Sequence, residues 1–313
     1  MAYSRLATPG ATRALLDEFG LHAKYKLGQN FLVDDNVVGG IVRLADLRED
    51  EAVVEVGPGI GTLTSALLPR VSAVVAIEAD DDMRGPLSVS CADYSERLAL
   101  ISGDCLRVHP EQVRDALAAL RREPRPDGPL TAAQRAGMPH KLVSNLPYAV
   151  AAKLILAWME GWDFLESMTV MVQAEVADRI AATPGSKTYG AYTLKLALLA
   201  NVTGRFEVPH ACFFPAPHVE SAVVRIDRRP QGERLAAQEA RLVARVIDAA
   251  FAQRRKTLRN SLTRSGCPRE VLDEALSEVG IQGTTRAETL VRDDFVALAR
   301  AIARRTDAWP QRS

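Results

Sequence analysis

Cysteine is scarce and unpatterned in this sequence: Cys91, Cys105, Cys212 and Cys267 are the four among 313 residues. They form no Cys-x-x-Cys pair and have no histidine at metal-ligand spacing. That argues against a zinc site and a disulfide framework alike, and points to a reduced, cytoplasmic protein without a metal. No apolar run approaches the ~18–20 residues that span a bilayer, so no membrane segment is expected. Met1 to Gly10 is polar and lacks the charged-then-apolar order of a secretory leader. Excess charge is missing as well. Lys plus Arg and Asp plus Glu each number 39, a formal net charge of zero. A nucleic-acid binder usually carries a basic surplus, so the balance counts against one for the chain as a whole, though not for a local surface.

Hydrophobic residues make up 47% and charged residues 25%, which excludes a disordered chain, a collagen-like repeat and a coiled-coil rod. The length suits one large domain with a smaller one. Over the first two thirds, short apolar strands alternate with amphipathic stretches, the pattern of an α/β protein with a parallel sheet. Strands are predicted at Val53 to Val56, Val74 to Ile77, Leu98 to Ile101, Lys141 to Val143 and Met168 to Val172, and a helix at Ile60 to Leu68. The first four strands each end at a polar or glycine-rich segment, where open α/β sheets place ligands. The Pro/Arg/Ala-rich stretch from Arg121 to His140 reads as a surface insert. Phe206 to Val208 and Ser221 to Ile226 read as antiparallel strands. Beyond the polar linker Arg228 to Arg234 the pattern is helical, so the domains are expected at 1–228 and 229–313.

Glu55-Val-Gly-Pro-Gly-Ile-Gly61 is a glycine-rich strand-to-helix turn that lets a ligand approach the backbone. Thr62 stands where a dinucleotide fingerprint wants its last glycine, and no Lys-Ser/Thr pair follows. NAD, FAD and a P-loop phosphate site are therefore disfavoured. Glu78 ends the second strand, where its two oxygens suit both ribose hydroxyls of an adenosine. Asp104 ends the third and is placed to accept from an adenine amine. An adenosine ligand without pyrophosphate fits this order, and S-adenosylmethionine is one.

Asn145-Leu-Pro-Tyr148 ends the fourth strand. Methylating an exocyclic amine is hard because its lone pair is delocalised into the ring. The Asn145 side-chain oxygen and the Leu146 carbonyl can accept the amine hydrogens and aim the lone pair at a sulfonium methyl. Pro147 fixes the local backbone, and Tyr148 offers a stacking face to an unstacked base, worth ~1–3 kcal/mol. Alignment rather than a tuned general base carries such a reaction.

With these motifs the sequence resembles the rRNA adenine N6,N6-dimethyltransferases of the small ribosomal subunit, the family linked to kasugamycin sensitivity. The likeness runs through KLGQNFLVD (Lys26 to Asp34), VEVGPGIGTLT (Val54 to Thr64), IEAD (Ile77 to Asp80), GDCL (Gly103 to Leu106) and SNLPY (Ser144 to Tyr148). It continues in PGSKTYGAYTL (Pro184 to Leu194), FFPAPHVESAVV (Phe213 to Val224) and AFAQRRKTLRNSL (Ala250 to Leu262). The resemblance implies a class I SAM-dependent methyltransferase fold, Rossmann-like with a mixed sheet, followed by a smaller all-helical domain for RNA or ribosome recognition. It implies cofactor contacts at Asn30, Leu32, Gly57, Gly59, Glu78, Asp104 and Asn145. Catalytic roles fall on Asn145, Leu146, Pro147 and Tyr148, with Phe213 as a second aromatic against the target adenine. The implied reaction dimethylates N6 of two adjacent adenosines in the 3′-terminal hairpin of 16S rRNA, within the small (30S) subunit or its precursor, by a cytoplasmic monomer. His218 and Glu220 stand where relatives often show Lys and Asp.

Arg241, Arg245, Arg254, Arg255, Lys256, Arg259 and Arg264 are opposed only by Asp248 across Arg241 to Ser265. Spacing predicts that Arg255 and Arg259 share a helix face, and with Arg254 and Lys256 they are the expected phosphate contacts. Arg5, Arg13, Lys24 and Lys26 form a second basic set. A large-subunit rRNA adenine methyltransferase of the macrolide-resistance type is the rival reading, and a non-catalytic assembly factor on the same fold a third. PGSKTYG and AFAQRRKTLRNSL favour the small-subunit enzyme.

Overall fold

The computed structural model describes residues 2–24, 28–122, 138–253, 255–306 and Trp309. Most of the Arg121 to His140 insert and Lys26, Arg254 among the expected sites lie outside them. The chain divides into two compact units. One is Met1–Ala177 with Val202–Arg228, the other Asp178–Asn201 with Arg229–Ser313.

The first unit is built on a seven-stranded sheet. Its strands are β2 (Ala52–Val56), β3 (Ala73–Glu78), β4 (Leu98–Ser102), β5 (Lys141–Asn145), β6 (Ser167–Gln173), β7 (Ala200–Val208) and β9 (Ser221–Arg228). They lie in the order β4-β3-β2-β5-β6-β9-β7. The neighbours from β4 to β6 are parallel, and β9 runs antiparallel to β6. Every residue of β2 and β3 is buried, as residues are when both faces of a parallel sheet are covered. After β2 the chain steps outward to β3 and β4, then returns to the other side of β2 as β5. The ends of β2 and β5 therefore flank a topological switch point, the crevice where such sheets bind ligands. A separate ribbon pairs β1 (Phe31–Leu32) with β8 (Phe213–Phe214), Phe31 opposite Phe214 and Leu32 opposite Phe213.

The helix expected over Ile60 to Leu68 is shorter: only Thr64–Leu67 is α-helical, followed by a 3-10 turn to Arg70. Gly61 explains the late start. It holds φ at 90°, and a Cβ there would stand 2.3 Å from Ser90 Oγ, so the loop keeps its left-handed turn for one residue more.

The second unit is helical. Its core gathers Val243, Val246 and Ile247 of the helix Ala237–Phe251, Leu258 and Leu262 of Leu258–Arg264, Leu272 of Arg269–Glu278, and Phe295, Leu298 and Ile302 of Arg292–Ala303. Tyr189, Leu194 and Leu198 belong to the same core. That corrects the boundary expected from composition. The break near residue 228 is present, but Asp178–Asn201 packs with the C-terminal helices because its apolar side chains are buried among theirs.

Candidate active site

A cavity of about 640 Å³ opens at the switch point. The segment from Gly28 to Leu32, the glycine loop, Glu78, Asp104 and the strand end Asn145 to Tyr148 line it. Asn30, Leu32, Gly57, Gly59, Glu78, Asp104, Asn145, Leu146, Pro147 and Tyr148 thus meet around one space, although up to 118 positions separate them in sequence. A second concavity of about 650 Å³, beside Arg43, Leu44 and Phe206, holds none of them.

Each position has a local cause. Gly57 carries φ 67°, and a Cβ on it would press on Pro147 Cγ at 3.3 Å, so the bare glycine lets the SNLPY turn close over the loop. Ser144 Oγ donates to the Val56 carbonyl at 2.6 Å, and the Leu146 N–H donates to Met171 O at 3.1 Å. These bonds pin the β5 end between β2 and β6. Pro147, at φ −57°, leads into the helix Tyr148–Gly161. The Asn145 Nδ2 donates to the Asn30 carbonyl at 3.4 Å, which leaves its Oδ1 as the acceptor. Tyr148 is half-buried, its hydroxyl 2.6 Å from Ser221 Oγ.

Two carboxyls give the cavity its electrostatics. Glu78 is 8% exposed and accepts from the N–H groups of Gly59 (3.1 Å) and Asp80 (2.9 Å). Burial pushes its pKa above the usual range, against the pull of those bonds. Glu55 is 1% exposed, and burial, with Glu78 adding repulsion, pushes it up to about 8. Its Oε2 has no hydrogen-bond partner among the described residues. Sequence reasoning gave Glu55 no role, yet a carboxylate inside the apolar run Val53 to Val56 was the available signal, since a buried acid needs hydrogen-bond partners. Asp104 sits at the rim, half-exposed, its Oδ1 accepting from the Leu106 N–H at 2.9 Å. An adenosine joined to a sulfonium and an ammonium fits this set. Glu78 has lone pairs free for ribose hydroxyls.

Phe213 does not join the group. It is 4% exposed, opposite Leu32 in the β1–β8 ribbon and packed in a core with Val38, Ile41 and Val223. It is absent from the cavity lining, where the aromatic side chains are Phe31 and Tyr148. The ribbon's pairing register sends Phe213 inward; a sequence motif carries no such information. Gln173, at the end of β6, was also missed and lines the cavity.

The basic surfaces differ from expectation too. Arg255 and Lys256 are exposed, but they lie in the turn between Ala237–Phe251 and Leu258–Arg264, not on a helix. Thr257 caps the second helix by accepting from the Asn260 N–H at 3.4 Å, which is why the helix starts there. Arg259 therefore shares no helix face with Arg255, and it pairs with Asp273 at 2.7 Å. Lys24 is bound to Asp80 (2.7 Å) and Asp82 (2.6 Å). Arg5 and Arg13 are exposed, with Arg13 over the Phe214 ring at 5.0 Å.

Residues 20–304 match the family of ribosomal RNA adenine dimethylases. The chain belongs to that family. Among curated relatives, the ribosomal RNA small subunit methyltransferase A of Rhodococcus opacus is 41% identical over 300 residues, 94% of each chain. The protein of the same name from Magnetococcus marinus is 41% identical over 93% of this chain and 95% of its own. Among solved structures, a dimethyladenosine transferase from Plasmodium falciparum aligns with a TM-score of 0.69 at 20% identity, covering 86% of this chain and 95% of its own. The 23S rRNA methyltransferase ErmE aligns at 0.63 and 23%, covering 88% and 100%. This dimethylase is an enzyme with the class I methyltransferase fold, and its methyl donor is S-adenosylmethionine. No described helix is long and apolar enough to cross a membrane, and no group of described residues is arranged to hold a metal.

Proposed function

We propose that this dimethylase converts two adjacent adenosines in the 3′-terminal hairpin of 16S rRNA to N6,N6-dimethyladenosine during small-subunit assembly. It works as a cytoplasmic monomer on the 30S subunit or its precursor. The observation that carries the reading is the gathering of Asn145 to Tyr148 with Glu78 and Asp104 around one cavity. The choice of the small subunit is supported by curated relatives named for it at about 40% identity.

S-adenosylmethionine, when bound, supplies an electrophilic methyl on a sulfonium. Glu78 accepts the ribose hydroxyls and Asp104 the adenine amine of that cofactor. Gly57 and Gly59 admit it to the backbone, and Asn30 and Leu32 cover it. The Asn145 Oδ1 and the Leu146 carbonyl accept the hydrogens of the target N6 and turn its lone pair toward the methyl. Asn30 holds the other end of the Asn145 amide, so the oxygen is the group presented. Tyr148, tethered by Ser221, stacks on the unstacked base. Proximity and alignment of this kind supply several kcal/mol without a base of special pKa. Arg254, Arg255 and Lys256 meet phosphates of the subunit RNA.

The test is methyl transfer to purified small and large subunits from a strain lacking the modification, with the product mapped by mass spectrometry. Dimethyladenosine at two adjacent positions of small-subunit RNA is expected. Product confined to large-subunit RNA overturns the reading in favour of the macrolide-resistance type.

A further inference from the structure

The residues that wall one side of the cavity come from a segment with little regular structure, and a side chain outside the cavity holds it. Asp80 is 7% exposed. Its Oδ1 accepts from Lys24 Nζ at 2.7 Å and from the Asp82 N–H at 3.2 Å, and its Oδ2 accepts from Gln29 Nε2 at 2.8 Å. Gln29 in turn takes the Lys24 N–H on its Oε1 at 2.9 Å and gives its own N–H to the Lys24 carbonyl at 3.4 Å. Burial acts to raise the Asp80 carboxyl, and Lys24 and Gln29 outweigh it, so the group titrates below the usual range. The result is a charged clasp closed on a carboxylate that stays ionised.

From the clasp the connection runs both ways into the site. The Asp80 N–H donates to Glu78 Oε1 at 2.9 Å, the carboxyl assigned to the ribose. Beyond Gln29, the Asn30 Nδ2 donates to Gly28 O at 3.0 Å, and the Asn30 carbonyl receives the Asn145 amide at 3.4 Å. We infer that Asp80 is a positioning residue. Through Lys24 and Gln29 it fixes the Gly28-to-Asn30 wall over the cofactor, and through the Asn30 carbonyl it sets which end of the Asn145 amide faces the substrate. The second part rests on the proposed role of Asn145; the first needs only the cofactor. The clasp also engages the Lys24 ammonium with two carboxylates, Asp80 and Asp82.

The experiment measures S-adenosylmethionine affinity by calorimetry on the full chain without RNA, and single-turnover methyl transfer at saturating cofactor. Lys24→Ala, at a side chain 38% exposed and so tolerant of change, is expected to raise the cofactor Kd by about three- to tenfold. Asp80→Asn, which keeps the shape and loses the charge, raises it by about tenfold and slows single turnover by a similar factor. Lys24→Arg restores both values towards wild type. The pair Lys24→Ala with Asp80→Asn is no worse than Asp80→Asn alone, the non-additivity of groups acting as one unit. Loss of melting temperature with an unchanged cofactor Kd in Lys24→Ala and Asp80→Asn would mark the clasp as merely structural and overturn the inference. An altered Kd with unchanged single turnover overturns the link to Asn145 alone. Failure of the Asn145 reading shows separately, as transfer that survives Asn145→Ala.

Discussion

The cavity at the strand ends and the basic stretch around Arg255 were both read from sequence as functional, and the structure treats them differently. Around the cavity, ten expected residues from five segments meet in one place. Around Arg255, a supposed helical stripe becomes a turn followed by a capped helix whose Arg259 is paired with Asp273. Topology accounts for the contrast. Residues at the C-terminal ends of parallel strands are forced to the same edge of the sheet by the hydrogen-bond ladder, so their neighbourhood follows once the strands are known. A row of arginines on predicted helices has no such constraint. Each guanidinium is free to find the nearest carboxylate, and a residue count records no partners.

Experiments that alter one region and spare the other sharpen this contrast. The largest effect on cofactor affinity is expected at Glu78. Glu78→Ala removes an acceptor tied to Gly59 and Asp80 and should weaken S-adenosylmethionine by about tenfold to a hundredfold, at ~1.5–3 kcal/mol for hydrogen bonds to a charged group. Calorimetry gives the value, and affinity within about twofold of wild type would detach Glu78 from the cofactor.

Glu55 gives a pH signature inside the cavity. Its folded-state pKa of about 8 lies above the 4.5 of an ordinary glutamate, so the folded protein holds the proton more tightly than the unfolded chain. Stability from this group is therefore full below about pH 4.5 and is lost as pH rises through about 8. Glu55→Gln should flatten that decline in denaturant melts between pH 5 and pH 9, by up to ~1.4 kcal/mol for each pH unit within the window. An unaltered pH profile would mean that the carboxyl is ionised and partnered throughout.

The smallest effects are expected on the basic surface, where they separate neighbours that look alike in sequence. Arg255→Glu with Lys256→Glu should weaken binding to small subunits and reduce the slope of log K against log salt by about 0.7–0.9 for each lost phosphate contact. Arg259→Ala should leave that slope alone and cost about 0–1 kcal/mol of stability through its pair with Asp273. A slope that changes only with Arg259 would reverse the assignment.

How legible the molecule was follows the same division. The five parallel strands, the glycine loop and the strand-end acids were readable because β-branched runs and their punctuation repeat a physical period. Phe213 was not, because the pairing that turns it inward joins it to Leu32 across 181 positions, a register the sequence does not display. Residues Asp178–Asn201 were misassigned for a related reason. Their apolar pattern marks them as buried but does not say against which core. Lys24 counts in sequence as part of a second basic set, and in the structure Asp80 and Asp82 stand beside it.

The central claim is that Asn145 aligns the target amine inside a cavity that holds the methyl donor. Single-turnover transfer of labelled methyl to unmethylated small subunits, by wild type and Asn145→Ala at saturating cofactor, tests it most directly. Wild type should place two methyl groups on each of two adjacent adenosines. Asn145→Ala, still binding the subunit and S-adenosylmethionine measurably, should be slowed by a factor of about a thousand or more. Transfer at the wild-type rate by Asn145→Ala would contradict the account.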